Sequence, residues 1–418
     1  MSLAAARPSC PHPHSRPHPR ARRPLGRGAA FALHASVLVG LLAASSAPTP
    51  LYALYQAEWQ LSALTVTVVF SAYALALLMA LLTAGRLSDH LGRRPVLAGA
   101  LLTEAASMAA LATAQGSAAL IAARVLQGLA TGVATGAAGA ALLDFEDPGH
   151  PGRAALANSL TPVSGMAAGV LAATALVRWF PAPTHTVYVL LLLLFVVQAA
   201  AVARTAETAG PRPGAWRSLR PRVVVAAASR RAFLVTAPGV IAAWALGGFY
   251  SSLGPSLARL VSPQLSRSTA GLVFFALTAG AAVAIVAVRA LPARAVSVAG
   301  AAALVPAALL TLSAPYLHSL SALFTGTVLA GAAFGAVAQG ALRLLLPPAA
   351  PGERAGTLTA YYVLSYLAMS VPAVIAGLLT NHYGLRTAVS LYTGTAVLLA
   401  LTAVATLLTA GTRSPAAR

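Results

Sequence analysis

Apolar stretches of about 20 residues recur along the chain, separated by short breaks that carry arginine, proline or aspartate. Six of them fall near residues 29–50, 63–84, 95–114, 118–142, 154–177 and 186–203, and six more near 232–253, 269–288, 295–313, 319–342, 355–379 and 386–410. A helix rises about 1.5 Å per residue and a bilayer's hydrocarbon core is about 30 Å thick, so each stretch is long enough to cross once. Backbone groups find no water inside lipid, and a helix satisfies them within the segment. The pattern therefore predicts an all-α membrane protein of about 12 transmembrane helices. The longest break, 204–231, holds Pro211, Pro213 and Trp216 and divides the spans into two pseudo-symmetric six-helix bundles. The expected organisation is a disordered tail over 1–28, bundles over 29–203 and 232–410, a linker over 204–231 between them, and a short tail over 411–418.

Composition agrees, with 58% hydrophobic and only 9% charged residues and a mean hydropathy of +0.78. A water-soluble coat cannot be made from so few charges. The net charge of +20 raises the possibility of nucleic-acid binding, but the arginines sit between apolar runs rather than on one face of a folded module, so no nucleic-acid partner is expected. Every basic residue is Arg, and roughly 23 of the 28 fall in the tails and in alternate breaks, those of Arg86, Arg93, Arg153, Arg204, Arg289 and Arg354 among them. Only Arg178, Arg259, Arg267 and Arg386 remain for the opposite side. That asymmetry predicts a multi-pass protein of the cell membrane with both termini cytoplasmic. Arg22 and Arg23 before the first span imitate a twin-arginine signal, but the many later spans favour a retained helix. The single cysteine, Cys10, cannot build a disulfide or a Cys-based metal site. His12, His14 and His18 alternate with proline in the tail, a pattern read as solvated chain rather than as a metal site. The stretch from Trp216 to Phe233 is either a helix lying on the membrane surface or a solvated linker.

After the second span the chain reads Gly85-Arg-Leu-Ser-Asp89-His-Leu-Gly92-Arg93-Arg94. Gly85 permits close backbone approach, the arginines anchor the loop, and Asp89 needs a partner. This loop resembles the signature loop of the major facilitator superfamily. The fourth span adds Arg124-Val-Leu-Gln127-Gly128, similar to that family's Arg-x-x-Gln-Gly motif. The fifth adds Pro162, Gly165 and Gly169, a partial likeness to its antiporter motif, with Thr161 and Met166 where glycines are usual. The resemblance implies a secondary transporter working by alternating access, with Asp89 docking the halves at the start of the eleventh span, near Ala355, Gly356 and Thr357. Between the eighth and ninth spans the counterpart loop keeps only Arg289 and Arg294, without Gly or Asp. Glycines spaced along the fourth span (Gly128, Gly132, Gly136) are echoed on the tenth (Gly326, Gly331, Gly335, Gly340), which supports duplication.

Among the eight carboxylates, Glu104 alone falls well inside a span, about nine residues or roughly 14 Å deep. A carboxyl there must be paired or protonated, and either state serves proton coupling. Arg124 lies about 7 Å away in depth on the neighbouring span, so Glu104 and Arg124 are the expected coupling pair, with His34 of the first span as a second proton carrier. Trp244, Phe249 and Tyr250 on the seventh span and Tyr361, Tyr362 and Tyr366 on the eleventh are candidates to line a substrate cavity, or else interfacial aromatics. No phosphate-binding loop and no nucleophile with base and orienter stands out, so neither an ATP-driven pump nor an enzyme is expected, and the proton gradient takes the place of a cofactor. The expected function is proton-coupled efflux of small hydrophobic or weakly cationic compounds. A proton symporter importing a metabolite and a non-transporting receptor on the same scaffold are the alternatives. Tags on the two chain ends should be accessible from the same side of the membrane, and protease protection of one but not the other would refute the even number of spans.

Overall fold

The computed structural model describes residues 25–221 and 223–412. Cys10 and the three tail histidines lie outside the described residues. The first half comprises α1 (Arg27–Ser46), α2 (Pro48–Trp59), α3 (Ala63–Ala84), the four-residue α4 (Ser88–Leu91), α5 (Arg93–Ala112), α6 (Ser117–Asp144), α7 (Arg153–Trp179) and α8 (Pro183–Val202). A short α9 (Ala215–Ser218) lies in the linker. The second half comprises α10 (Arg230–Ser252), α11 (Gly254–Val261), α12 (Arg267–Ala287), α13 (Ala293–Leu317), α14 (Leu320–Leu345) and α15 (Arg354–Thr412). No strand occurs among the described residues.

Two boundaries differ from the hydropathy pattern. The first span runs on through α2 to Trp59, because Pro48 and Pro50 sit in the first turn of α2, where a missing N–H costs nothing. α15 is 59 residues long and contains both the eleventh and twelfth spans, divided at Gly384, whose φ of 81° and ψ of 158° break the helix. The stretch from Trp216 to Phe233 does not form one surface helix. Among the described residues before α10, the regular structure is α9 and a single 3₁₀ turn at Ala227–Ser229.

The duplication is visible in the caps and in the packing. Ser62 begins the second span by accepting a hydrogen bond from Thr65 N at 3.1 Å, and Ser266 begins the eighth by accepting one from Thr269 N, also at 3.1 Å. In the first half α6 forms the floor on which α3 and α5 lie, and in the second α14 does the same for α12 and α13. Glycines make both floors possible. A Cβ on Gly128 would strike the Tyr73 carbonyl and one on Gly132 would strike Ala80, while one on Gly331 would strike the Leu277 carbonyl and one on Gly335 would lie 2.6 Å from that of Ala281. The halves meet through α3 against α15 and α7 against α12.

The linker ties both halves on one face, called the linker face below. Both described ends of the chain lie there too: Leu25 N donates to Arg204 O at 3.2 Å, and Arg294 donates to the carbonyls of Leu407 and Leu408 at 2.8 and 3.1 Å. On the far face the halves are joined by Ser256 donating to Gln56 at 3.4 Å, Leu64 N donating to Asn381 at 3.4 Å, and Gly271 seated against Pro50 and Thr174. Gly331→Val should lower stability by about 1–3 kcal/mol through overpacking against Leu277, whereas Gly394→Ala, with nothing within 4 Å of its added carbon, should be nearly silent. Thermal unfolding of the purified protein in one detergent compares the two.

Candidate functional site at the interface of the halves

One face of α6 carries Arg124, Gln127 and Thr131, spaced three and then four residues apart so that they stack on the same side of the helix. All three are fully buried, as is Glu104 on α5. Thr131 Oγ1 donates to Glu104 Oε2 at 3.1 Å, and Oε1 has no partner among the described residues. The Arg124 guanidinium lies 4.1 Å from the centre of the Tyr73 ring on α3, a cation–π arrangement. Its Nη1 donates to Gln127 Oε1 at 2.5 Å and to the Ser45 carbonyl on α1 at 3.3 Å, while its Nε and Nη2 and the Tyr73 hydroxyl have no hydrogen-bond partner among the described residues.

Glu104 and Arg124 are therefore in one polar cluster, but no ion pair joins them among the described residues. The two side chains are set apart by the register along α6. Thr131, which holds Glu104, is seven residues or about 10 Å beyond Arg124. Arg124 is wholly enclosed and reaches no surface.

The second half contributes aromatic rings. Trp244 on α10 meets Phe334 of α14 edge-on at 5.2 Å and Tyr366 of α15 at 5.5 Å, and its indole N–H donates to the Tyr361 hydroxyl at 3.4 Å. Tyr362 lies 5.7 Å from Tyr361 and 6.3 Å from Tyr366. Tyr366 and Met369 in turn pack against Tyr73 and Leu77 of the first half, and Ser71 donates to the Ser370 carbonyl at 3.2 Å. Arg124, Tyr73, Tyr366 and Trp244 thus form one connected path across the interface.

Phe249 and Tyr250 do not belong to it. Both are fully buried inside the second half, Phe249 against Tyr392 at 5.0 Å and Tyr250 bonded to Thr311 at 2.5 Å. Five and six residues after Trp244, they point about 140° and 120° away from it around α10. Tyr73, Thr131 and Phe334 complete the site and were not singled out from the sequence. The spacing of Thr131 from Arg124 was a usable signal, and nothing local marked Phe334. His34 is buried near the linker face, its Nδ1 2.7 Å from the Ala30 carbonyl of its own helix and its ring 5.3 Å from Phe145, remote from the path. Gly165 and Gly169 let α7 close on the Val39 and Ala43 carbonyls of α1, one turn on from the kink position Pro162.

In the signature loop Asp89 pairs with Arg93, which also bonds Ser88 at 3.0 Å and Asp144 at 3.1 Å. The expected facing of Asp89 onto the eleventh span is corrected. The start of α15 is met by the linker instead, with Ala226 N donating to Thr357 at 3.1 Å and Gly356 beside the Val224 carbonyl. Gly92 adopts φ 102°, and a side chain there would meet the Glu207 carboxylate. Glu207 accepts the N–H groups of Arg93 and Arg94 at 2.7 and 3.1 Å and so caps α5. Gly85 receives Gly136 of α6 at 3.1 Å from a carbon added there.

Comparison with curated protein sequences gives no significant match. Among solved structures, a bacterial homologue of the human lysosomal transporter Spinster, inward-facing and unoccupied, superposes with TM-score 0.76 at 14% identity, over 93% of this chain and 99% of that one. The nucleoside transporter NupG gives TM-score 0.66 at 12% identity over 90% and 98% of the two chains. The human organic anion transporter MFSD10 gives 0.64 at 21% over 91% and 100%. At such identities these likenesses speak for the fold. The family model for the Major Facilitator Superfamily matches residues 35–287, more than half of the chain, and with the paired bundles and the loop around Gly92 this places the protein in that superfamily of membrane transporters, not among enzymes.

Proposed function

We propose that the chain is a proton-coupled exporter of small lipophilic or weakly cationic organic compounds, working by alternating access across the cell membrane with both chain ends in the cytoplasm. The observation that carries this reading is the path from Arg124 through Tyr73 and Tyr366 to Trp244, which joins the halves with aromatic faces and places no carboxylate along the way. Aromatic walls with few polar groups suit a lipophilic guest. The proton is assigned to Glu104, which sits beside that path, has one hydrogen bond and keeps Oε1 open to protonation. The contacts of Gln56, Leu64 and Gly271 close the far face, so opening it requires the halves to rock apart there.

A second reading, an organic anion as substrate, is favoured by the unpartnered Nε and Nη2 of Arg124. Import instead of export would use the same site with the opposite direction of proton flow. A receptor on this scaffold would move nothing.

Proteoliposomes loaded with neutral, weakly basic and acidic aromatic compounds, with the pH gradient imposed in each direction, separate these readings. Accumulation against proton flow supports export; accumulation with it supports import; anion-only movement supports the second reading. Glu104→Gln should abolish gradient-driven accumulation yet leave downhill exchange of the same compound intact, and unimpaired uphill transport in that variant would assign coupling elsewhere. Trp244→Ala should raise KM about tenfold for transported aromatic compounds with a smaller change in maximal rate, read from initial rates of exchange.

A further inference from the structure

The connected path of the transport site is not the only feature built for a ligand. On the outer surface of the second half, α12 and α13 stand apart, with α14 as the floor between them, and enclose a groove of about 770 Å³. Its walls include Phe275, Val283, Val288, Ala299, Phe324 and Val328, and every lining residue is Ala, Gly, Val, Leu or Phe. From Leu272 to Val288 it follows α12 for about 24 Å, longer than the roughly 15 Å of hydrocarbon in one leaflet. Val283, on its rim, is 69% exposed, so the groove opens sideways to lipid rather than into the protein.

The mouth at the linker face is positively charged. Arg343, at the end of α14, reaches under the turn between α12 and α13 and donates to the carbonyls of Val288 and Leu291 at 3.4 and 2.7 Å. Arg289 follows the last lining residue directly, is exposed, and its guanidinium bonds nothing among the described residues. Arg294 stands at the start of α13. Among the described residues no ion pair joins these arginines to a carboxylate, and the one acidic residue after Glu207, Glu353, lies in the turn before α15. An apolar trough one lipid tail deep, opening under uncompensated arginines at headgroup level, has the chemistry of an anionic phospholipid in relief.

We propose that the groove between α12 and α13 binds one anionic phospholipid of the linker-face leaflet, with an acyl chain along Val283 and Val288 and the phosphate at Arg289. This site is separate from the transport path and does not depend on the substrate or direction of transport. A bound lipid there braces two helices that share a floor but do not pack on each other, and so ties the second half to the composition of the membrane.

Native mass spectrometry of the full chain, delipidated in mild detergent and titrated with phosphatidylglycerol or phosphatidylcholine, tests this. One phosphatidylglycerol should be retained at least fivefold more strongly than phosphatidylcholine. Arg289→Gln should weaken its retention about fivefold, as expected for one basic side chain near a headgroup. Ala299→Phe, which fills the trough without changing charge, should weaken it as well, while Arg386→Gln at the far face should not. Equal retention of the two lipids, or insensitivity to Arg289→Gln, would overturn the headgroup assignment and with it the site. Loss on Arg289→Gln with full retention in Ala299→Phe would show a surface phosphate contact and equally overturn it.

Discussion

Lipid provides no water to be expelled when helices meet, so helices in a membrane hold together only where their backbones come close enough for dispersion and weak polar contacts to add up. In this chain that constraint falls on two helices, α6 and α14. Each lays a run of glycines against a neighbour whose carbonyl oxygens occupy the space a side chain would take, Tyr73 and Leu77 for α6, Leu277 and Ala281 for α14. The tight seam between α6 and α3 also fixes where Tyr73 stands, and the Tyr73 ring is what Arg124 covers. Packing and site are therefore one piece of geometry. The residues that let the helices touch set the depth and direction of the residues that face the interface.

The two halves share this skeleton and differ in their charges. In the first half Arg93, the first residue of α5, meets Asp144 at the end of α6, and Glu207 from the linker caps the same helix. In the second half the loop has lost its aspartate and glycine, and the arginine sits at the opposite end of the contact: Arg343, on α14, donates to carbonyls of the loop. The same corner is held by an ion pair on one side and by arginine-to-backbone bonds on the other. An ion pair gains or loses strength with the charge of its partners, whereas bonds to backbone carbonyls do not depend on a second charge. The linker that supplies Glu207 to the first corner runs on to the start of α15, which it meets through Val224 and Ala226.

Much of this was legible in the sequence because a bilayer imposes lengths. Span positions follow from apolar stretches of about 20 residues, and the repeated glycines from their close spacing along the fourth and tenth spans. The signature loop was legible through its own residues. What was not legible depends on distance along the chain or on angle around a helix. Glu207 reaches Arg93 across 114 positions, and no local pattern marks a cap supplied from so far away. Phe249 and Tyr250 were grouped with Trp244 because they are near it in sequence, although 100° per residue turns them into the core. Asp89 was expected to dock on the eleventh span as its family resemblance implies, yet in this arrangement of the halves the linker occupies that helix start.

The separation of Glu104 from Arg124 bears on the proton coupling proposed above. Had the two formed a closed ion pair, a proton arriving at Glu104 would have to break it, and the neutral carboxyl would leave a buried guanidinium uncompensated at considerable cost. Instead Thr131 holds one oxygen of the carboxyl, and Arg124 rests on Gln127, the Ser45 carbonyl and the Tyr73 ring, none of which changes charge with Glu104. Protonation can then alter the field along α6 without dismantling the packing. On the coupling proposed above, the link to the interface is Tyr73, whose ring meets the Arg124 guanidinium and which packs with Tyr366 of the other half. That proposal needs only what α6 supplies, since the one helix carries both the hydroxyl that holds the carboxyl and the arginine that covers the ring.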